Sequence, residues 1–534
     1  MQMKRISLLC AAGAVLAATG CQDLEVTNPN DPEIGTVLAN GDALQAYLAG
    51  NFRNLWSTLQ GSRPNWPAAT AADQLSGVTT SFANPELSNE PRGELPNNNN
   101  VTVSRNVHRE MWLDLYRTIS ISNDVLRAMD GNPQLQVGAG NADAPRARAY
   151  AKFLQGVAHG YVAMYYDQGW VIDEKVALPA DVSEFGSVVK LQAREAVLAA
   201  SVAQLKEAIA LSQTRFTLPT TWVPGLAIDN VELARLANTY IARFTVYAAR
   251  RPTERRATQW ATVLQHLDAG IAPEAESNAV RHDFAPVADP AATFASVFKQ
   301  NAQTESSLRA DYKLVGPADT TGAYQNWIRR APASRTPFIV GTPDKRVSAR
   351  DTTNGTYFSF RRVQSFASTL GTYHQSFYFL NRFNNAAGNA RSWETGPQPV
   401  ITRAELDLIR AEAYMNTGNP DRAAELINRT RVRNGGLPPV TATGVPAGRA
   451  CVPRTQQGAC GSLFDALRYE KRIETAGVEG SVAYWDARGW GTLLIGTPVH
   501  FPVPWRELEL IGAPLYTFGG TGPGSVTAAD TIPQ

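Results

Sequence analysis

Five charged residues fall within seventeen positions near the C-terminus: Arg472, Glu474, Glu479, Asp486 and Arg488. Such a cluster could exchange protons, but alternating acids and bases near helix ends also form ion pairs and caps readily, and that is the preferred reading. The six histidines are scattered, with no H-E-x-x-H or other metal-ligand spacing. No G-x-S-x-G elbow and no phosphate-binding loop occurs, so no catalytic residue, metal or cofactor is assigned. Paired carboxylates for glycoside hydrolysis need no proximity in sequence, and 48 acidic residues leave that class open. Aromatic residues in polar, turn-rich stretches offer a different chemistry. Flat rings bind the C–H faces of sugars, while amides and acids take the hydroxyls. Trp66, Tyr324, Trp327 and Trp393 are candidates of this kind. The expectation is one shallow, solvent-open ligand surface lined by Trp66 and Trp327. Tyr324 would lie nearby, with Asp73 and Asn98 as polar contacts. Core packing stays open as the alternative for each ring.

The four cysteines divide into two pairs of roles. Lys4 and Arg5 precede an apolar run, Ile6 to Ala18, and then Thr19-Gly20-Cys21. This is the layout of a secretory signal, and a run of thirteen residues is too short to span a bilayer. The segment resembles a lipobox, with Ala18 where leucine is usual, which implies that Cys21 carries lipid and begins the mature chain. Residues 1–20 are then the lipoprotein signal peptide, and 21–40 the lipidated N-terminus and a flexible tether rich in Asn and Pro. Asp23 and Glu25 resemble the acidic surface-export signal of such lipoproteins. Losing Lys4 and Arg5 leaves 48 basic against 48 acidic residues. A neutral chain has no bulk field to attract nucleic acid or an anionic membrane. Cys451 and Cys460 lie in a loop rich in Gly, Pro and Gln. In an oxidising compartment they are expected to pair; the alternative, a metal site, finds no His or third Cys nearby.

Helical periodicity dominates residues 41–272. Helices are expected over 42–60, 107–129, 144–166, 188–212, 231–249 and 253–271, the last capped by Thr253. A long polar loop is expected over 61–100. From 273 to 399 the periodicity fades into loops and short strands, such as 357–360 and 376–380. Residues 400–534 return to helix. There, 402–417 and 421–434 flank Gly418-Asn419-Pro420 and read as a tetratricopeptide-type hairpin.

Several segments, in order, resemble the SusD/RagB family. They are the lipobox and tether; Leu115-Tyr116-Arg117-Thr118-Ile119 with Asn123; and Ala151-Lys152-Phe153-Leu154 leading to Tyr165-Tyr166 and Pro179. Then come Leu408-Ile409-Arg410-Ala411-Glu412-Ala413-Tyr414 with Gly418, Ala424 and Ile427-Asn428, and Glu470-Lys471-Arg472-Ile473-Glu474 followed by Glu479-Gly480, Tyr484-Trp485-Asp486 and Arg488-Gly489-Trp490-Gly491. Phe501-Pro502-Val503-Pro504 with Glu507-Leu508 closes the series. Gly435-Gly436 lengthens the hairpin's ending by one residue, and Thr475 and Gly489 replace an apolar and a basic residue. The resemblance implies a mainly α, SusD-like scaffold of tetratricopeptide-like hairpins over 41–534, with a loop- and strand-rich middle region. It implies a non-enzymatic, outer-membrane lipoprotein facing the cell exterior. Such a protein binds oligomeric nutrient, chiefly oligosaccharide, and pairs with a SusC-like TonB-dependent transporter. It also places ligand contacts in the loop after the first helix and in the middle region. A surface-anchored hydrolase of glycan or peptide is the second hypothesis, and turnover of the ligand would distinguish it.

Overall fold

In the computed structural model the described residues run from Ile34 to Ile532. They exclude 78–79, 103–105, 180, 182–183, 275–282, 289–293, 304–307, 348–354, 363–375 and 384–395. Cys21 and Trp393 lie outside the described residues.

The scaffold is built from α1 (Gly41–Gly50), α2 (Phe52–Gln60), α3 (Ser62–Ala71), α4 (Arg109–Gly131), α5 (Ala144–Tyr165), α6 (Arg194–Leu211) and α7 (Asn230–Tyr247). It continues through α8 (Trp260–Asp268), α9 (Arg403–Asn416), α10 (Pro420–Arg433), α11 (Leu463–Thr475) and α12 (Gly480–Trp490). Each long helix packs on the next: α2 on α4, α4 on α5, α5 on α6, α6 on α7, α7 on α8, α8 on α9, and α9 on both α10 and α11. This is the stacked-hairpin arrangement of a helical solenoid. Helix α5 sits at its centre and is buried on nearly every face. Two glycines let its neighbours in. A Cβ at Gly160 would lie 2.0 Å from the Phe244 ring of α7, and one at Gly156 would lie 2.8 Å from Leu205 of α6. Among the described residues no helix is long and apolar enough to cross a membrane.

Local signals set the helix ends. Thr402 accepts a bond from the Glu405 amide to start α9, and Asn419 does the same for Arg422 ahead of α10. Ser462 and Asp465 form a reciprocal capping box at α11. Elsewhere tertiary contacts override the pattern. The helix expected over 42–60 divides at Asn51, whose buried amide donates to the Thr118 carbonyl and Ser122 of α4. The one expected over 253–271 is a short helix, Pro252–Arg256, followed by α8. Thr253 is not its cap: Pro252 holds the first position, after an extended Arg251.

The loop expected over 61–100 contains α3, strand β1 (Leu75–Gly77) and a short helix, Asn84–Ser88. Arg63 is extended, so Pro64 opens the regular turns, where proline's fixed φ costs no needed donor. Asn65 then donates to the carbonyls of Thr58, Leu59 and Gly61, closing the end of α2. The middle region adds β2 (Leu308–Ala310), paired antiparallel with β1, and β3 (Phe358–Phe360), paired antiparallel with β4 (Tyr378–Leu380). These ribbons, with α11 and the short helices Tyr312–Val315 and Ala323–Ile328, enclose a second apolar core beside the solenoid.

The two halves of the chain are joined by buried charge. Arg243 of α7 donates to Glu405 at 2.8 Å and to Glu479 at 2.6 Å. Arg255 grips both oxygens of Glu412, at 2.8 and 2.7 Å, and reaches Asp486 at 2.9 Å. Lys471 donates to the same Asp486 oxygen, and the Trp490 indole to Glu412. Arg346 spans Asp344, Glu470 and Glu474. Burial alone would raise the Glu412 carboxyl, but Arg255 carries it below its ordinary value.

Removing one member of such a buried set strands its partners. Glu412→Gln should leave Arg255 and Lys471 sharing Asp486, at a cost of about 3–5 kcal/mol. Denaturant unfolding monitored by circular dichroism measures this, and a loss below about 1 kcal/mol, the range of exposed pairs, would contradict it.

Candidate functional site

A half-open cavity of about 110 Å³ lies where α3, α11, the middle region and the segment 451–460 meet. Arg472 organises its floor. From α11 it donates to the carbonyls of Ala72, Asp73 and Lys313, fastening the end of α3 and the helix Tyr312–Val315 to one side chain. Burial lowers the Arg472 pKa, and the charges of Asp73 and Asp311 oppose that shift. Asp73 has φ +50°, a left-handed conformation that aspartate tolerates better than most residues. Its carboxylate receives Arg92 at 2.6 Å and Lys313 at 3.3 Å. Beneath it, Asp311 bonds Ser76 and is pushed up to about 7, first by burial and then by the charge of Asp73.

Tyr324 forms one wall. Gly316 makes room for it, since a Cβ there would lie 2.1 Å from the ring. Asp319 holds the Tyr324 amide, and the ring stacks on Trp327 at 6.1 Å. Tyr324 lines the cavity, and its hydroxyl has no hydrogen-bond partner among the described residues.

The facing wall is a cross-linked hairpin. Cys451 and Cys460 are joined by a disulfide. Inside this loop, Arg454 pairs with Cys460 as an antiparallel bridge, and the Thr455 amide donates to Ala459. The Arg454 amide donates to Pro317, and Gln325 to the Thr455 carbonyl, so the hairpin is bonded to the Tyr324 wall. Arg454, Thr455 and Gln456 thereby face the cavity. From α11, Asp465 and Arg468 complete the lining as an ion pair. Burial would raise the Asp465 carboxyl, but Ser462 and Arg468 hold it below the usual range.

The sequence candidates divide on this geometry. Asp73 and Tyr324 both line the cavity, although Tyr324 is itself only 4 % exposed and belongs to the second apolar core. Trp66 and Trp327 do not form a solvent-open surface: each is 3 % exposed, and both belong to the second apolar core. Trp66 stacks on Phe82 at 4.5 Å, and Trp327 lies between Tyr312 and the Arg335 guanidinium. Their polar, turn-rich neighbourhoods fold into short elements that need large rings to fill the space between them. Asn98 is exposed, in a turn whose neighbour Asn97 binds Val503 and Tyr516, and it does not line the cavity. Lys313, Arg454, Arg468 and Arg472 were not singled out as ligand contacts. The one signal for Arg454 is its position inside the cysteine-bounded loop.

Residues 292–516 match the model of the SusD family, and this segment carries all of the cavity lining except Ala72 and Asp73. Over that segment the chain is SusD/RagB-like. Solved structures share the fold of this SusD/RagB-like protein at low identity. A SusD superfamily protein of Bacteroides fragilis is 13 % identical, with a TM-score of 0.52, over 89 % of this chain and 98 % of its own. One of Bacteroides vulgatus is 14 % identical, with a TM-score of 0.51, over 85 % and 89 %. Another B. vulgatus protein, described as a candidate sugar binding protein, is 13 % identical, with a TM-score of 0.53, over 84 % and 86 %. No curated protein sequence matches the chain.

The hairpin depends on its cross-link for pre-organisation. Closing so short a loop restricts the unfolded chain by about 2–3 kcal/mol. A Cys451→Ser/Cys460→Ser variant should keep its helical content. Amide exchange over 454–460 should accelerate at least tenfold, read by mass spectrometry. Unchanged exchange there would show that the bonds to Pro317 and Gln325 suffice.

Proposed function

We propose that this protein is a lipid-anchored, non-enzymatic nutrient receptor on the outer surface of the outer membrane. It captures an oligosaccharide at the Tyr324 cavity and passes it to a SusC-like TonB-dependent transporter. The observation that carries the reading is the cavity's lining: Tyr324, with its unbonded hydroxyl, opposite a tethered hairpin with polar side chains. A volume of about 110 Å³ admits one unit or terminal group of a chain, and the half-open rim leaves room for the remainder outside. Ligand clefts combine apolar and aromatic lining with few, fixed polar groups. Hydrolysis would need an acid and a base free to exchange protons. The cavity's carboxylates are instead engaged: Asp73 by Arg92 and Lys313, Asp465 by Arg468 and Ser462. The sugar-binding description of one structural relative is in keeping with this assignment.

Attachment rests on Cys21. A single short acyl chain binds a membrane weakly, whereas several on one cysteine anchor stably. Affinity purification from detergent-solubilised outer membranes should recover the protein with a large β-barrel carrying a plug domain. Without that transporter, Cys21→Ala should move to the soluble fraction, and bound oligosaccharide should be recovered uncleaved. A Cys21→Ala variant that stays in the membrane under those conditions, or a ligand returned as shorter products, would refute the assignment.

A further inference from the structure

The cavity is more cationic than its architecture requires. Its lining carries Lys313, Arg454, Arg468 and Arg472 against Asp73 and Asp465. Each carboxylate already has its cations: Asp73 has Arg92 and Lys313, and Asp465 has Arg468. Lys313 is further neutralised by Glu90 at 2.5 Å. Two guanidinium groups are left over. Arg472 spends its donors on the three backbone carbonyls and forms no carboxylate ion pair among the described residues. Arg454 makes no side-chain hydrogen bond and no ion pair among the described residues; its Nε is shut off from solvent, so its terminal nitrogens are the donors a ligand can reach. A guanidinium with no counter-charge at the wall of a half-open cavity offers charged donors to an acceptor the protein does not supply.

The surroundings say what that acceptor is. Arg454 is held in place by the disulfide-closed hairpin and by its own amide bond to Pro317. The facing wall offers Tyr324 with its unbonded hydroxyl. A planar fork on a fixed hairpin, across a half-open cavity from a phenol, fits an oxyanion with two or more oxygens. Neutral sugar hydroxyls would leave the excess charge uncompensated.

We propose that the cavity selects an oligosaccharide bearing an anionic group, a carboxylate or a sulfate, with Arg454 as the residue that takes the anion and the Tyr324 hydroxyl as a second donor. This rests on the reading of the cavity as a glycan site and specifies its substrate class.

The test is an array of neutral, uronate-bearing and sulfated oligosaccharides together with acidic peptides, probed with the wild-type chain, Arg454→Gln and Arg454→Lys. Arg454 is half-buried on a surface hairpin, so equal thermal midpoints for the three proteins serve as the folding control. The expected result is binding concentrated among the anionic sugars and at least tenfold weaker in Arg454→Gln. Arg454→Lys should retain part of it, and added salt should weaken it. The uronate and sulfate arms show which anion is preferred. Binding confined to neutral sugars, or anionic binding indifferent to Arg454→Gln, overturns the inference and leaves the glycan-receptor reading standing. No binding to any sugar, or binding to acidic peptides alone, overturns both.

Discussion

The structure depends on a set of guanidinium–carboxylate contacts sealed inside it. Arg243 and Arg255 come from the N-terminal half of the chain; Glu405, Glu412, Glu479 and Asp486 come from the C-terminal half. The Arg243 and Glu479 side chains are wholly buried. Desolvating such charges costs several kcal/mol per ion, recovered only when geometry and hydrogen bonding are nearly complete. Their value is therefore positional rather than cohesive. Greasy helix faces can slide by a turn at modest cost, but a buried arginine that misses its carboxylate cannot be tolerated. The network fixes how the closing hairpins seat on the solenoid, across the middle region that separates them in sequence.

That register carries through to the cavity. Helix α11 supplies Glu470, Lys471 and Glu474 to the buried network and, from its neighbouring turns, Asp465, Arg468 and Arg472 to the cavity. Trp490 does both, bonding Glu412 while closing the back of the cavity. The Arg488 guanidinium, on α12, donates to carbonyls of Met164, Tyr247 and Val499, so the ends of α5 and α7 are tied to the same frame. The site is thus assembled from distant segments but referenced to one rigid helix, which suits a surface that must bind without rearranging.

The helical half was legible because its signals are local. Periodicity located α4, α5 and α7 within a few residues, and the Thr402 cap and the Gly418-Asn419-Pro420 break marked the hairpin of α9 and α10. The motifs that resemble the family were legible for a deeper reason. Glu412, Glu470, Lys471, Glu474, Glu479, Asp486 and Arg488 read as surface-like charge in sequence, yet they are the buried network itself. Local signals failed where packing between remote segments decides the outcome. Trp66 and Trp327 sit among turn formers, and only the antiparallel pairing of β1 with β2 and of β3 with β4 turns those stretches into a second core around the rings. Arg454 was invisible for the same reason: nothing near it in sequence shows that Pro317 and Tyr324 stand opposite.

We propose that this frame presents one cavity, bounded by Tyr324 and the 451–460 hairpin, to an oligomeric sugar. A crystal structure of the full chain soaked with an oligosaccharide that binds it in solution tests this most directly. The account requires density for a sugar unit against Tyr324, with the chain leaving through the open rim and the protein backbone around α11 unmoved. Sugar bound elsewhere on the solenoid, with the cavity holding only water, would contradict it.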